Sequence, residues 1–230
     1  MVTRALPLSL SFLAGLVDVT TFVSLNGLFS AHVTGNVVVI ADHVVTGRSI
    51  GPAVAIAVPL FVAVTVAATL VRDRLGDDRR RSTSVFLTAQ TVLVALAGAI
   101  ALFGPAGAAG LLTGLAAVAA MAVQNAMLHL DVRPVPSTAV MTGNVVAAGI
   151  AATRLLTARD AARDDARRSW SAHWPLIAGF FAGGLVAVAA YQAIGAGGWL
   201  LAVAASIAAT LTWRSTAVPA PQPEGDTRGS

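Results

Sequence analysis

The amino-acid sequence predicts an all-α integral membrane protein with six transmembrane helices arranged as a 3+3 inverted repeat, and three observations lead to this fold class. Of 230 residues, 56% are hydrophobic and only 11% are charged, whereas soluble domains carry about 25% charged residues. The arginines concentrate in short segments between long apolar runs, and the pentapeptide Thr-Gly-Asn-Val-Val occurs twice. We therefore expect the chain to have lipid rather than water around most of its surface.

Six apolar segments approach the length that a helix needs to cross a bilayer, about 20 residues. In chain order they cover residues 5–29, 52–71, 83–103, 106–130, 174–194 and 199–213. Two other apolar segments, 33–45 and 135–156, are shorter or contain Gly, Asn and Pro. We predict that these two do not cross, and that residues 1–214 form one transmembrane domain followed by a disordered tail, 215–230.

Arginine positions set the predicted orientation, because short cytoplasmic loops carry an excess of Lys and Arg. With six spans and a cytoplasmic N-terminus, 14 of the 15 arginines lie inside and only Arg48 lies outside. Eight spans would move the arginines of 72–81 or those of 154–168 to the outside. We therefore predict a multi-pass membrane protein with both termini in the cytoplasm.

The repeated pentapeptide divides the chain into two halves, about 5–103 and about 106–213. Thr34–Val38 in the first half recurs as Thr142–Val146 in the second, and each copy is followed by a Pro-Leu pair in the next span. Three spans in each half make the second half run upside down relative to the first. Inverted repeats of this kind build many transporters.

Each copy of the motif is predicted to begin a short re-entrant half-helix, one entering from outside and the other from inside. Thr and Asn are good capping residues, and a helix N-terminus offers free N–H groups to a ligand. We expect the two starts to meet near the middle of the membrane. The candidate binding residues of the motifs are Thr34, Gly35, Asn36, Thr142, Gly143 and Asn144.

Four further polar residues lie in or beside the spans. Asp18 lies in the first span, where an uncompensated carboxylate is costly and should face protein or water. His32, Gln124 and Asn125 complete the candidate solute or ion site. The structural alternative for Asp18, Gln124 and Asn125 is a hydrogen bond between helices. For His32 it is a solvated side chain at the membrane interface. We expect Gln90 and Thr91 of the third span to be packed or bonded to backbone.

Several stretches of the sequence resemble the YoaK-like family, a family of bacterial integral membrane proteins of unknown function. The resemblance rests on Gly15–Asp18, the stretch 27–36, Val123–Ala126 and Met141–Asn144, and it extends over about 8–213. It implies a multi-pass inner-membrane protein, and it supplies neither a substrate nor a known functional residue.

The motifs of several other protein classes are absent from the sequence. It contains no Walker P-loop, no HExxH, no GxSxG elbow and no cysteine, so we expect no enzyme, no cofactor and no metal site. The arginines form no stripe on a soluble surface, so we expect no nucleic-acid binding. The sequence predicts a transporter or channel for a small solute or ion, with proton coupling through Asp18 as one mode. The alternative is a non-transporting membrane scaffold or accessory subunit, and a homo-oligomer remains open in either case.

Overall fold

The computed structural model of the protein describes residues 5–105, 107–132 and 141–215. These residues form eight α-helices and one short 3-10 turn, without a strand. The helices are α1 (Ala5–Ser24), α2 (Gly35–Thr46), α3 (Pro52–Leu75), α4 (Arg79–Phe103), α5 (Ala109–Leu130), α6 (Met141–Thr157), α7 (Asp160–Ile194) and α8 (Trp199–Ser215). The predicted tail lies outside the described residues, apart from Ser215.

Five helical stretches among the described residues are long and apolar enough to cross a membrane. They are α1, α3, α4, α5 and the run Asp160–Ser215, which contains both α7 and α8. Several such helices in one chain make this an α-helical, multi-pass membrane protein in its architecture. The predicted fifth and sixth spans fall on the second part of α7 and on α8, which are separated by the turn Gly195–Gly198.

Two predicted span boundaries differ from the structure by five residues or more. The first span ends at Ser24 rather than at residue 29, because Asn26 and Gly27 adopt φ values of 54° and 82°. This left-handed backbone ends the helix and turns the chain back. The fifth span is the second part of a longer helix, since α7 already begins at Asp160. Its first turns carry an exposed ion pair between Arg167 and Asp164.

The helices α1 and α5 lie at the centre of the bundle. Their span segments are 67% and 78% buried, compared with 17% for α3. The helix α1 packs against α7, α8 and α5, while α5 packs against α4 and α3. The short helices lie at the periphery, with α2 on α3 and α6 on α7.

Glycine allows α1 and α7 to approach very closely. A Cβ atom added at Gly183 would lie 2.0 Å from the carbonyl oxygen of Phe12, and one at Gly15 would lie 2.1 Å from that of Phe180. Small residues at such crossings are typical of membrane helices, where packing rather than water exclusion holds helices together. The Gly179-x-x-x-Gly183 pattern of the sequence therefore serves a contact within the chain.

The apolar core contains two main clusters stacked along the bundle, with polar side chains between them. On α4, Leu87 belongs to one cluster and Val94 to the other. On α8, Ala209 belongs to the cluster of Leu87, and Ala202 belongs to the cluster of Val94. Polar residues lie at or beside this boundary on four helices, and we call them the central polar layer: Ser11, Gln90, Thr91, Gln124 and Ser206.

Candidate functional site

The carboxylate of Asp18 accepts hydrogen bonds from the chain segment that precedes α2. Its Oδ1 accepts from the backbone N–H groups of Ser30 and Ala31, at 2.8 and 2.7 Å, and His32 Nδ1 lies 2.9 Å from Oδ2. The turn at Asn26 and Gly27 makes these bonds geometrically accessible, because it sends the chain back along α1. Asp18 is only 3% exposed, so its carboxylate is compensated inside the protein.

The side chain of Asn36 holds the same segment from the other end. Its Oδ1 accepts from Phe29 N–H at 2.9 Å, and its Nδ2 donates to the carbonyl oxygens of Phe29 and Val33 at 2.7 and 3.0 Å. Asn36 is fully buried. Neighbouring Gly35 is needed for packing, since a Cβ atom there would lie 2.8 Å from the Phe29 ring.

The start of α2 does not offer the free N–H groups that the sequence led us to expect. The N–H groups of Gly35, Asn36 and Val37 donate to the carbonyl oxygens three residues earlier, at His32, Val33 and Thr34. Thr34 is exposed and makes no side-chain capping bond. The N–H groups that do bind an anion belong to Ser30, Ala31 and His32, and the anion that they bind is the protein's own Asp18.

His32 is the member of this cluster that can be reached from outside the protein. Its side chain is 30% exposed, whereas that of Asp18 is 4% exposed. The imidazole ring contacts the edge of Phe180 on α7, with ring centroids 4.9 Å apart. The Asp18–His32 pair therefore joins a buried carboxylate to a partly exposed imidazole.

Three of the five candidate residues of the second half are also engaged in hydrogen bonds. Gln124 donates from Nε2 to the carbonyl oxygen of Leu10 on α1, at 3.1 Å, and Asn125 donates to Met121 one turn earlier. Asn144 is buried with its Nδ2 3.9 Å from Met141 Sδ. Each of the three has a further partner. Thr142 and Gly143 are exposed on α6.

The ten candidate residues thus do not form one cluster. Asp18, His32 and Asn36 lie together around residues 29–33, while Gln124 and Asn125 lie on α5 and Asn144 on α6. The expected meeting of the two motif helices is not found, because α2 packs on α3, α6 packs on α7, and α2 and α6 do not form a packed pair. Residues 133–140, which lead into the second motif, are outside the described part of the chain.

Two polar residues to which the sequence analysis gave little or no weight stand out in the structure, and the first is Gln90. It is fully buried in α4, and neither atom of its carboxamide has a hydrogen-bond partner among the described residues. Thr91 beside it behaves as expected, with Oγ1 donating to Leu87 O at 2.8 Å, and it also contacts Ser206 Oγ at 2.9 Å. The only sequence signal for Gln90 is an amide within an apolar run.

The second is Thr113 of α5, whose buried hydroxyl also lacks a partner among the described residues. It lines a cavity of about 320 Å³ at the ends of α1, α4, α5, α7 and α8, together with Thr20, Ser24 and Tyr191. A larger groove of about 870 Å³ lies beside α2. The described residues contain no group of three or more His, Asp or Glu side chains that could hold a metal ion.

One family model matches the chain, over residues 6–213, and its description is "Protein of unknown function (DUF1275)". This match extends over nearly the whole helical bundle and agrees with the resemblance to the YoaK-like family. Comparisons with curated proteins and with solved structures gave no match. Because the family model includes most of the chain, the protein belongs to the DUF1275 family.

Proposed function

We propose that the protein carries a small polar solute across the bacterial inner membrane, through a site in the central polar layer of a 3+3 inverted repeat. The observation that carries this proposal is the carboxamide of Gln90, which is fully buried and has no hydrogen-bond partner among the described residues. Leaving such a group unpaired costs about 1–3 kcal/mol. A bound solute that supplies the missing hydrogen bonds would remove this cost and explain why the amide is present.

The pattern of helix packing supports the inverted repeat. In an inverted repeat, α1 corresponds to α5, α2 to α6, α3 to α7 and α4 to α8. The packed pair α1–α7 then corresponds to α5–α3, and the pair α4–α5 corresponds to α8–α1. The pair α2–α3 likewise corresponds to α6–α7, and all of these pairs are packed in the structure. The pairs α1–α5 and α4–α8 map onto themselves, and both are packed as well. A two-fold axis through these two contacts accounts for the main pattern of packing.

The central polar layer lies on the two contacts that this axis would cross. Thr91 and Ser206 join α4 to α8, and Gln124 joins α5 to the backbone of α1. Gln90 is adjacent to Thr91, near the middle of α4. Transporters built from inverted repeats bind their substrates near the midplane, at the interface between the repeats. This location favours Gln90 and Gln124 as solute-binding residues.

The hydrogen bonds of Asp18 support a re-entrant path for the first motif. Asp18 lies six residues, or about 9 Å at 1.5 Å per residue, before the end of α1. The bonds from Ser30 and Ala31 therefore draw the chain back to that depth before α2 begins. Non-helical backbone survives at membrane depth only where protein or a watery cavity satisfies it, and here Asp18 and Asn36 do so.

Two polar features suggest how a solute and a proton would be handled. The cavity beside Thr113 lies at the end of the bundle that the arginine distribution places outside, and it gives a solute an entrance. The amide and hydroxyl groups further in favour an uncharged or zwitterionic solute, recognised by hydrogen bonds. The Asp18–His32 pair is our candidate for proton coupling, because His32 is partly exposed and contacts a buried carboxylate.

Flux through proteoliposomes tests this proposal even while the substrate is unidentified. Stopped-flow light scattering would follow vesicle swelling in gradients of glycerol, urea and glycine. We expect faster swelling than in protein-free vesicles for at least one solute, and a loss of that increase in Gln90→Leu. This variant should be at least as stable as the parent, since it removes an unpaired amide. The matched control Val94→Leu, one turn along α4, should keep the flux.

The second candidate function is a non-transporting scaffold or accessory subunit. It is favoured by the hydrogen bonds of Asp18 and Asn36, because both side chains bond to the backbone of residues 29–33 and so have a structural role. Under this alternative, vesicles with protein would swell at the protein-free rate for every solute tested. Gln90→Leu would then raise stability and change nothing else.

A further inference from the structure

A groove of about 870 Å³ runs along one side of α2, bounded by the end of α1 and the turn at 26–29. Its α2 wall is a single helical stripe that contains, in order, Gly35, Val38, Val39, Asp42 and His43. The helix α2 packs on α3 and forms no packed pair with α1. Within this stripe, Val39 packs against the core cluster that contains Leu28, while Val38 is 70% exposed. The volume is that of a ligand pocket.

The lining of the groove is apolar at one end and polar at the other. Phe22, Phe29, Val38 and Val39 form the apolar part, and Asp42, His43 and Arg48 form the polar part. The polar part lies at the C-terminal end of α2, next to Gly47. A ligand that matches this lining has an apolar body and a charged head.

Both signs of charge are available at the polar end. Arg48 bonds to Asp42 and also donates from Nε to Thr46 Oγ1 at 3.0 Å. A guanidinium carries five N–H donors, so three remain for a ligand, and one oxygen of Asp42 accepts no bond from the described residues. The side chains of Arg48 and Asp42 are 60% and 48% exposed, which leaves both within reach.

A buried, unsatisfied nitrogen gives independent evidence for a ligand. His43 lines the groove and is only 7% exposed, and its Nδ1 has no hydrogen-bond partner within the part of the chain that the structure describes. Buried polar atoms are normally bonded, so an exception requires a reason. A polar group of a bound molecule lying between the apolar floor and the charged head would supply it.

From these features we infer that the groove binds one zwitterionic phospholipid of the phosphatidylethanolamine class. Its phosphate contacts Arg48, its ammonium group contacts Asp42, and an acyl chain lies against Phe22, Phe29 and Val38. Phosphate is a preferred partner of arginine. An anionic lipid without an amine would place its phosphate near Asp42, and the single guanidinium of Arg48 would then face two anionic groups. Arg48 is also the one arginine that departs from the predicted cytoplasmic distribution, and this site gives it a role.

Native mass spectrometry of the purified, detergent-solubilised protein tests the inference. We expect one dimyristoyl-phosphatidylethanolamine to bind in preference to dimyristoyl-phosphatidylglycerol. Arg48→Gln should weaken its binding roughly tenfold or more, as expected for the loss of a charge-assisted contact. Val38→Trp should block the groove without unfolding the protein, because Val38 is 70% exposed. Arg154→Gln, which removes an exposed arginine on α6, should bind like the parent.

Two results would overturn the lipid site. One is equal binding of phosphatidylethanolamine by the parent, Arg48→Gln and Val38→Trp, with all three folded by circular dichroism. The other is a preference of the parent for phosphatidylglycerol, which would show that Asp42 does not select an ammonium group. Neither result bears on solute flux, so the inference stands or falls separately from the proposed transport.

Discussion

At the scale of single residues, Asp18 shows how backbone hydrogen bonds can compensate a carboxylate within an apolar helix. Asp18 resembles a transport carboxylate in the sequence, yet its Oδ1 accepts from three backbone N–H groups and its Oδ2 faces the His32 ring. The sequence could not reveal this arrangement, because the donors come from a turn whose geometry depends on the left-handed backbone at Asn26 and Gly27. The carboxylate thus has a definite structural task before any coupling role.

Replacing Asp18 separates these two roles. Asp18→Ala should lower the free energy of unfolding by about 3 kcal/mol, because it leaves at least two buried N–H groups unpaired. Asp18→Asn should cost only about 1 kcal/mol, since its amide oxygen can still accept from those groups. Unfolding in mixed detergent micelles, with hydrogen exchange at residues 29–33, would measure both effects. Unchanged exchange in Asp18→Ala would contradict the structural role, and full coupled flux in Asp18→Asn would contradict proton coupling.

At the level of the helices, the sequence predicts which helices are present better than it predicts where each one begins and ends. The apolar runs indicate every long helix, since length and hydropathy determine which segments can cross. The start of α7 and the end of α1 differ from the prediction, because a continuous charged helix and a left-handed turn leave only weak signals in hydropathy. The two motif helices form no packed pair among the described residues, since identical motifs specify local conformation and not the neighbour on which each helix packs.

The close contact between α1 and α7 should be sensitive to single methyl groups. Gly183→Ala places a Cβ atom 2.0 Å from the backbone oxygen of Phe12, so the helices must separate, at a cost of about 1–3 kcal/mol. Gly149→Ala on α6 meets nothing within 4 Å and should be neutral or slightly stabilising. Denaturation in detergent would compare the two, and equal stability would show that α1 and α7 are not in backbone contact.

An ion pair joins α3 to the end of α5. Arg72 bonds to Asp131, whose side chain is fully buried, while that of Arg72 is 14% exposed. Arg72→Gln should lower the free energy of unfolding by about 3–5 kcal/mol, because it leaves a buried charge without its partner. The double variant Arg72→Gln/Asp131→Asn should recover much of that loss. A double variant as unstable as the sum of the single variants would argue against a direct pair.

Considered as a whole, the molecule combines an apolar exterior with a polar layer at the contacts between its halves. Composition predicts the exterior, and the repeated pentapeptide predicts two related halves. Neither predicts that Gln90 lies in the interior without a partner among the described residues, because a sequence does not state which buried amides find partners. The proposed transport therefore requires that water and solutes reach the central polar layer from one side of the membrane.

The accessibility of position 90 to water decides this question. The chain has no cysteine, so single-cysteine variants can be labelled cleanly with a membrane-impermeant thiol reagent in vesicles of known orientation. Gln90→Cys should react, while Val94→Cys, buried in the apolar core one turn away, should not. Val45→Cys and Leu156→Cys, both highly exposed, should react only from outside and only from inside, respectively. An unreactive Gln90→Cys in both orientations, with these two markers reacting as expected, would contradict a transport site in the central polar layer.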